Sequence, residues 1–415
     1  MRILAVEPII QSFLDMDFYK LTMGQLAWRK FFHTHVRYAF RNRTKNIKLA
    51  DYIDEQELRA QLDLAAQLKP NTEELAYLRE SQWIPKGFFR PAYLDFLRAI
   101  QFSGYELIKK NDTYEIIVEG RWANAIWWET IILSIVNELY YRGLLKKRGI
   151  AVEEAWAEGE YRLMKKIEII KIEAPRLVDF GTRRRFSSSW QEHVVRRLKS
   201  ELPDDQLFLG ISNVHLAKKY GLKPTGTFAH EVFMICAGRD GASDEGICAT
   251  HNKVLQDWWD LYGESMSIAL TDTFGTEFFF KDFTLEQAQA WRGLRQDSGD
   301  PFNFGEKAIA FYKQLGVDPR SKIIVFSDGL DIDMIVALHR RFNGEIGVAF
   351  GWGTNLTNDL GFSPLSLIVK PTHADSNSLV KLSDNLAKAM GEPAAIERYK
   401  KIFGYSGYFH QDCKY

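Results

Sequence analysis

The sequence predicts an α/β fold, an irregular (β/α) barrel with a second, N-terminal α+β domain. Three observations lead there. Beyond residue 170 short apolar runs recur, each ending in polar or glycine-rich residues and each followed by a helical stretch. Eight such runs can be read, the number of a closed barrel, and alternation of strand with helix argues for a parallel sheet covered by helices. The first part of the chain differs, mixing helical patterns such as EQELRAQLDLAAQL with alternating pieces such as TYEIIVEG. With 415 residues and 46% hydrophobic content the chain can bury a large core, and two domains are expected. The boundaries place an α+β domain at 1–145, completed by 380–415, and the barrel at 146–379.

In order, the apolar runs are RLVDFG (176–181), QLFLGIS (206–212), TGTFAHEVF (225–233), MSIALTD (266–272), RGLRQDSG (292–299), KIIVFSDG (322–329), IGVAFGWG (346–353) and LSLIVKP (365–371). Between them DIDMIVALHRRFNG carries Met334, Leu338 and Phe342 on one helical stripe before an Asn343-Gly344 stop. In a barrel the strand C-termini converge on one face. The polar residues that end the runs then meet: Arg183 and Arg185, Ser212 and Asn213, His230, Asp272 and Thr273, Arg295 and Asp297, Asp328, Gly351 and Gly353, and Lys370. This mixture of cations, glycines and carboxylates suits a phosphorylated ligand that also carries hydroxyl groups.

Composition excludes several classes. Lys plus Arg equals Asp plus Glu at 54 each, so no basic excess advertises nucleic acid or an anionic membrane, and any anion must be held by a local cluster. Cys236, Cys248 and Cys413 are too scattered for a disulfide framework or a Cys-rich zinc site, which points to a reducing, cytoplasmic setting. No signal peptide is expected at MRILAVEPIIQ, which Glu7 and Gln11 interrupt. Residues 122–141 are the most membrane-like stretch, but Glu129, Asn137 and Glu138 break it, and it reads as a buried core helix.

The motifs narrow the chemistry further. His230-Glu231 begins neither H-E-x-x-H, because residue 234 is Met, nor the deaminase H-x-E, because residue 232 is Val. No residue is assigned as a metal ligand. The chain has no Gly-Lys dipeptide and hence no Walker A loop. GWGTNL lacks the third glycine of a dinucleotide fingerprint, yet glycine-rich backbone after IGVAF can cradle phosphate. Asp297 and Asp300 in RQDSGDP could serve a glycosidase, although Gly299-Asp300-Pro301 reads as a turn. Phe180 beside the arginines of GTRRRFS matches a flat anionic ring, since arginine pairs with carboxylates and phenylalanine offers a stacking face.

Taken together, LDMDFYKLTMGQ, LVDFGTRRRF, ISNVHLAKKYGLKPTGTFAHEVFM, LTDTFGTEFFFKDF, GLRQDSGDPFNFGEKAIAFYKQLG, VFSDGLDID and FGWGTNLTND resemble the nicotinate phosphoribosyltransferases, a type II phosphoribosyltransferase family. The resemblance implies transfer of a phosphoribosyl group from phosphoribosyl pyrophosphate to nicotinate in NAD salvage. It also implies ATP hydrolysis through a phosphorylated histidine and a need for Mg2+. Carried over, His230 is the phosphorylated residue, and Phe180 stacks on the pyridine ring. Tyr19, from the other subunit of a homodimer with shared sites, stacks from the opposite side. Arg295 and Asp297, with Asp328, meet phosphates and ribose hydroxyls; Gly351, Gly353 and Thr354 receive the 5'-phosphate; Asp272 lies near the ribose. The arginine run, Arg183 foremost, favours a carboxylate substrate over that of the related nicotinamide phosphoribosyltransferases. A barrel glycoside hydrolase and a catalytically dead metabolite-binding protein are the competing readings.

Overall fold

The computed structural model describes residues 7–411 apart from 204, 242 and 408, so Cys413 and the very start of the chain lie outside the described residues. Its strands are β1 (His35–Asn42), β2 (Tyr105–Lys110), β3 (Thr113–Arg121), β4 (Leu177–Asp179), β5 (Phe208–Ile211), β6 (Ile268–Leu270), β7 (Gly293–Gln296), β8 (Ile323–Phe326), β9 (Gly347–Trp352), β10 (Leu367–Ala374) and β11 (Asn377–Ser378). Two sheets result. Strands β4 to β9 form a parallel sheet in the order β5-β4-β9-β8-β7-β6, and the remainder form an antiparallel sheet in the order β11-β10-β1-β3-β2. The fold is therefore the expected α/β barrel-like sheet accompanied by a separate α+β layer.

Six of the eight apolar runs become strands of the parallel sheet; the other two do not. TGTFAHEVF crosses into the helix His230–Arg239, whose residues 230–238 are all buried. An apolar stretch buried on every side has no period to separate strand from helix, so its pattern alone predicts a strand where a helix forms. The chain just ahead of it still lies along the barrel. Pro224 bridges in parallel to Ile211, the Thr225 amide donates to the Ile211 carbonyl at 2.9 Å, and Arg295 donates to the Phe228 carbonyl at 3.1 Å. An extended segment thus lies along β5 where a further strand was expected, and it makes the barrel irregular.

The eighth run, LSLIVKP, does form a strand, but β10 pairs antiparallel with β1 from Val36↔Ala374 to Asn42↔Leu367. Alternation shows that a segment is a strand; it does not show which partner that strand takes.

The helix Trp128–Arg148 joins the two layers and ends at Gly149, whose φ of 66° is the left-handed cap that favours glycine. It is the buried helix anticipated over 122–141, and no helix among the described residues is long and apolar enough to cross a membrane. Its polar residues have tertiary partners. Asn137 donates to the carbonyls of Arg184 and Arg185 at 2.9 and 2.7 Å, Ser134 donates to the Thr182 carbonyl at 3.0 Å, and Glu138 accepts from the Ser188 amide at 2.8 Å. The helix therefore pins the arginine loop that follows β4.

Candidate active site

Because strands β4 to β9 run in parallel, the residues just past their C-termini gather at one end of the sheet. A cleft opens there whose empty space, mouth included, is about 1040 Å³, ample for a nucleotide-sized ligand. Of the residues expected to meet, it is lined by Phe180, Arg183, His230, Arg295, Asp297, Asp328, Gly351, Gly353, Thr354 and Lys370. The local positive cluster that a neutral chain needs is present, since Arg43, Arg184, Lys381 and Lys388 add further cations to the lining. Asp272 is buried just behind this surface.

His230 opens its helix, so its ring sits where the helix dipole favours an approaching anion. Its Nδ1 lies 3.0 Å from Thr273 Oγ1, and its Nε2 lies 2.8 Å from Asp297 Oδ2 and 3.0 Å from Lys381 Nζ. Burial, with the Lys381 ammonium beside it, lowers the imidazole to about 4, so the ring is neutral at physiological pH and keeps a lone pair. Burial alone would raise Asp297, but the Arg295 guanidinium and the bond to His230 hold it well below the usual carboxylate range. Asp297 Oδ1 also accepts from Ser327 at 3.1 Å.

Asp272 accepts from Ser298 at 2.5 Å through Oδ2, while its buried Oδ1 has no hydrogen-bond partner. One ligand atom each from His230, Asp272 and Asp297 falls within 4.8 Å of the others. Two carboxylates, one of them with an orphaned oxygen, fit a hard cation such as Mg2+, which prefers oxygen ligands.

Phe180 follows β4, and Gly351 on β9 is the reason its ring fits: a Cβ there would lie 2.4 Å from Phe180 Cδ2. At this glycine close approach to an aromatic ring, rather than a special backbone angle, demands the missing side chain.

The arginine run divides. Arg185 is fully buried and clasps Asp15 through both terminal nitrogens at 2.6 and 2.7 Å, which makes it part of the scaffold. Its expected place among the ligand contacts is corrected accordingly. Arg183 remains at the cleft, bonded to Asp17 at 3.2 Å and to Glu129 at 3.3 Å. Asp300 caps the helix Pro301–Gln314 by accepting from the amides of Phe302 and Asn303 at 2.8 and 3.0 Å. That is the structural role its turn sequence implied, and it removes one of the two acids a glycosidase would need.

Tyr19 is buried beside Arg183. Its ring stands under the Arg183 guanidinium of the same chain, 5.3 Å away, and its hydroxyl donates to Glu129 at 3.0 Å. Within its own chain the ring lies behind Arg183 and does not line the cleft. The contributions of Arg43, Lys381 and Lys388 were missed altogether. Lys381 and Lys388 lie in the segment after β11, which has little regular structure, and no local pattern marks them as site residues.

The nicotinate phosphoribosyltransferase (NAPRTase) family model matches residues 175–407, and the family's N-terminal domain matches residues 14–137. The chain belongs to the nicotinate phosphoribosyltransferase family. Solved structures agree. The chain is similar to nicotinate phosphoribosyltransferase from Porphyromonas gingivalis at 31% identity and a TM-score of 0.85, covering 95% of this chain and 100% of that one. It is equally similar to the Vibrio cholerae enzyme, again at 31% identity and 0.85, over 98% of this chain and 95% of that one. Within the family frame the cleft at the strand ends, with Phe180, His230, Arg295 and Asp297 on its walls, is the candidate active site.

Proposed function

We propose that the protein transfers the phosphoribosyl group of phosphoribosyl pyrophosphate to nicotinate, forming nicotinate mononucleotide and pyrophosphate, and that ATP hydrolysis is coupled to this through a phosphohistidine at His230. The observation that carries the reading is the position of His230, a neutral buried imidazole at a helix start facing a cleft rich in cations. Its setting suits a nucleophile that must receive a phosphoryl group.

In the transfer, the C1–O bond to pyrophosphate breaks as the pyridine nitrogen lone pair forms the C1–N bond. No proton moves, so no general base is required. Positive charge builds on the ribose, and Asp297, held ionised by Arg295, is placed to stabilise it. Asp328 serves the ribose hydroxyls. It also contacts the Lys388 ammonium, so Lys388 must release it or share it with substrate. Phe180 orients the ring, Gly351, Gly353 and Thr354 receive the 5'-phosphate, and Arg183 attracts the carboxylate. Mg2+ held by Asp272 and Asp297 would neutralise charge on the leaving pyrophosphate.

In the ATP half-reaction an imidazole nitrogen of His230 attacks the γ-phosphorus and ADP leaves; water later releases phosphate. The hydrogen bonds of Thr273, Asp297 and Lys381 to the ring fix its orientation, and one of them must yield when the N–P bond forms. ATP then acts by changing the affinity of the cleft between two enzyme states. The test is a product assay with nicotinate and nicotinamide in parallel, each with and without ATP. Nicotinate should be favoured more than about tenfold, because a buried cation deprived of its carboxylate loses a charge-assisted bond. Comparable rates with nicotinamide would reassign the acceptor, and turnover of a glycoside without phosphoribosyl pyrophosphate would overturn the reaction class.

A further inference from the structure

The Glu129 carboxylate, itself almost wholly buried, collects cations from three parts of the chain. Lys20 contacts its Oε2 at 2.7 Å, while Arg183 and Lys370 both donate to its Oε1, at 3.3 and 2.8 Å. Lys20 is fully buried and shared with Glu231, 2.6 Å away, so it has nothing to offer a ligand. Arg183 and Lys370 differ. Both line the cleft alongside Phe180, and their side chains remain 32% and 15% exposed. Ile368, two residues before Lys370 on β10, lines the same cleft, as the alternation of a strand requires. Two cations, one from the turn after β4 and one from β10, are therefore tethered to one oxygen with their free N–H groups available to the space beside the Phe180 ring.

Resting on the proposed transfer to nicotinate, we propose that Lys370 is a second specificity-determining cation, which with Arg183 grips the carboxylate of the acceptor while Glu129 holds the two in place. A carboxylate can bridge two such cations with one oxygen to each. A carboxamide cannot: its carbonyl accepts from one cation, and its NH2 group then faces the other, a donor against a donor. Discrimination against the amide thus arises twice, from a lost pairing and from an enforced clash. Glu129 supplies an anchor that a substrate carboxylate does not have to displace, because it binds the buried side of both cations.

The test compares Lys370→Met, Lys370→Gln and Lys370→Arg with wild type in steady state, varying nicotinate, nicotinamide and phosphoribosyl pyrophosphate separately. For Lys370→Met and Lys370→Gln the KM for nicotinate should rise at least about tenfold with kcat little changed, the pattern of lost ground-state binding. The KM for phosphoribosyl pyrophosphate should stay within about twofold, the preference for nicotinate over nicotinamide should fall by at least about tenfold, and Lys370→Arg should recover most of it. Equal losses with both acceptors would mean a merely structural lysine and overturn the proposal. So would a rise in the KM for phosphoribosyl pyrophosphate alone, which would give Lys370 to a phosphate.

Should the methionine variant fail to fold, the glutamine variant and a titration with benzoate decide the matter. Benzoate has the ring and carboxylate without the reacting nitrogen, so it should bind wild type competitively with nicotinate and bind Lys370→Gln at least about tenfold more weakly. Equal benzoate affinities would overturn the clamp. This titration also separates the clamp from the reaction: a wild type that binds benzoate and nicotinate but forms no nicotinate mononucleotide would retain the clamp and lose the proposed function.

Discussion

His230 and Glu231 are neighbours in sequence and open the same helix, yet they belong to two different kinds of polar cluster. Glu231 is fully buried and saturated: Lys20 lies at 2.6 Å, and the Tyr38 hydroxyl and Trp122 indole donate to it at 3.0 and 3.2 Å. His230 faces the cleft, where Asp297 and Lys381 compete for a single nitrogen and Asp272 keeps an oxygen without a partner. The closed cluster has its partners and holds helices together. The open one has contacts that must break before chemistry can occur, and that difference, more than residue type, separates scaffold from site.

The largest effect expected is on the open side. His230→Ala should abolish phosphoenzyme formation and ADP release from γ-labelled ATP, yet leave a slow phosphoribosyl transfer that ATP no longer stimulates. Acid-labile, base-stable label on the mutant would return His230 to a structural role and erase the contrast. On the closed side, Lys20→Met should cost about 3–5 kcal/mol of stability, since it strands the buried Glu231 carboxylate. Urea denaturation measures this, and Lys20→Met combined with Glu231→Gln should recover part of the loss. If Lys20→Met instead left stability intact and removed ATP stimulation, the closed cluster would belong to the mechanism.

A smaller effect concerns pH. The folded imidazole lies near 4, below the ordinary value near 6.5, so the neutral nucleophilic form survives as pH falls until it approaches the lower figure. Phosphoenzyme formation at pH 5.5 should therefore stay within about twofold of that at pH 7.5, whereas an ordinary histidine would be about nine-tenths protonated there. A tenfold drop would show that burial does not control the ring.

The smallest effect concerns Tyr19. Tyr19 meets Arg183 and Glu129 of its own chain, and a site built within one chain would make mixed Tyr19→Ala and Arg295→Ala protein no more active than the two parents summed. Clear complementation would show that the site is shared between chains.

Local signals in the sequence determined a good deal. Apolar runs ended by polar residues identified the six parallel strands and placed Phe180, Asp297, Asp328 and Gly351 at one end of them, because strand alternation and chain direction are local properties. The turn read at Gly299-Asp300-Pro301 gave Asp300 a structural role, and Asp300 caps the helix that follows it. Tertiary structure decided what depends on distant partners. Arg185 became scaffold and Arg183 stayed at the cleft only because Asp15 and Glu129 arrive from elsewhere in the chain. The run 225–233, buried from Thr227 onward, became extended chain and then helix, a change its unbroken burial hides from the sequence pattern, and β10 joined the other sheet by pairing with β1. Lys381 and Lys388 came to His230 and Asp328 on a segment whose local sequence carries no sign of that destination. Hydrophobic pattern is written residue by residue, but the pairing of one charge with another is settled only when the chain closes on itself, where each must find a partner or remain solvated.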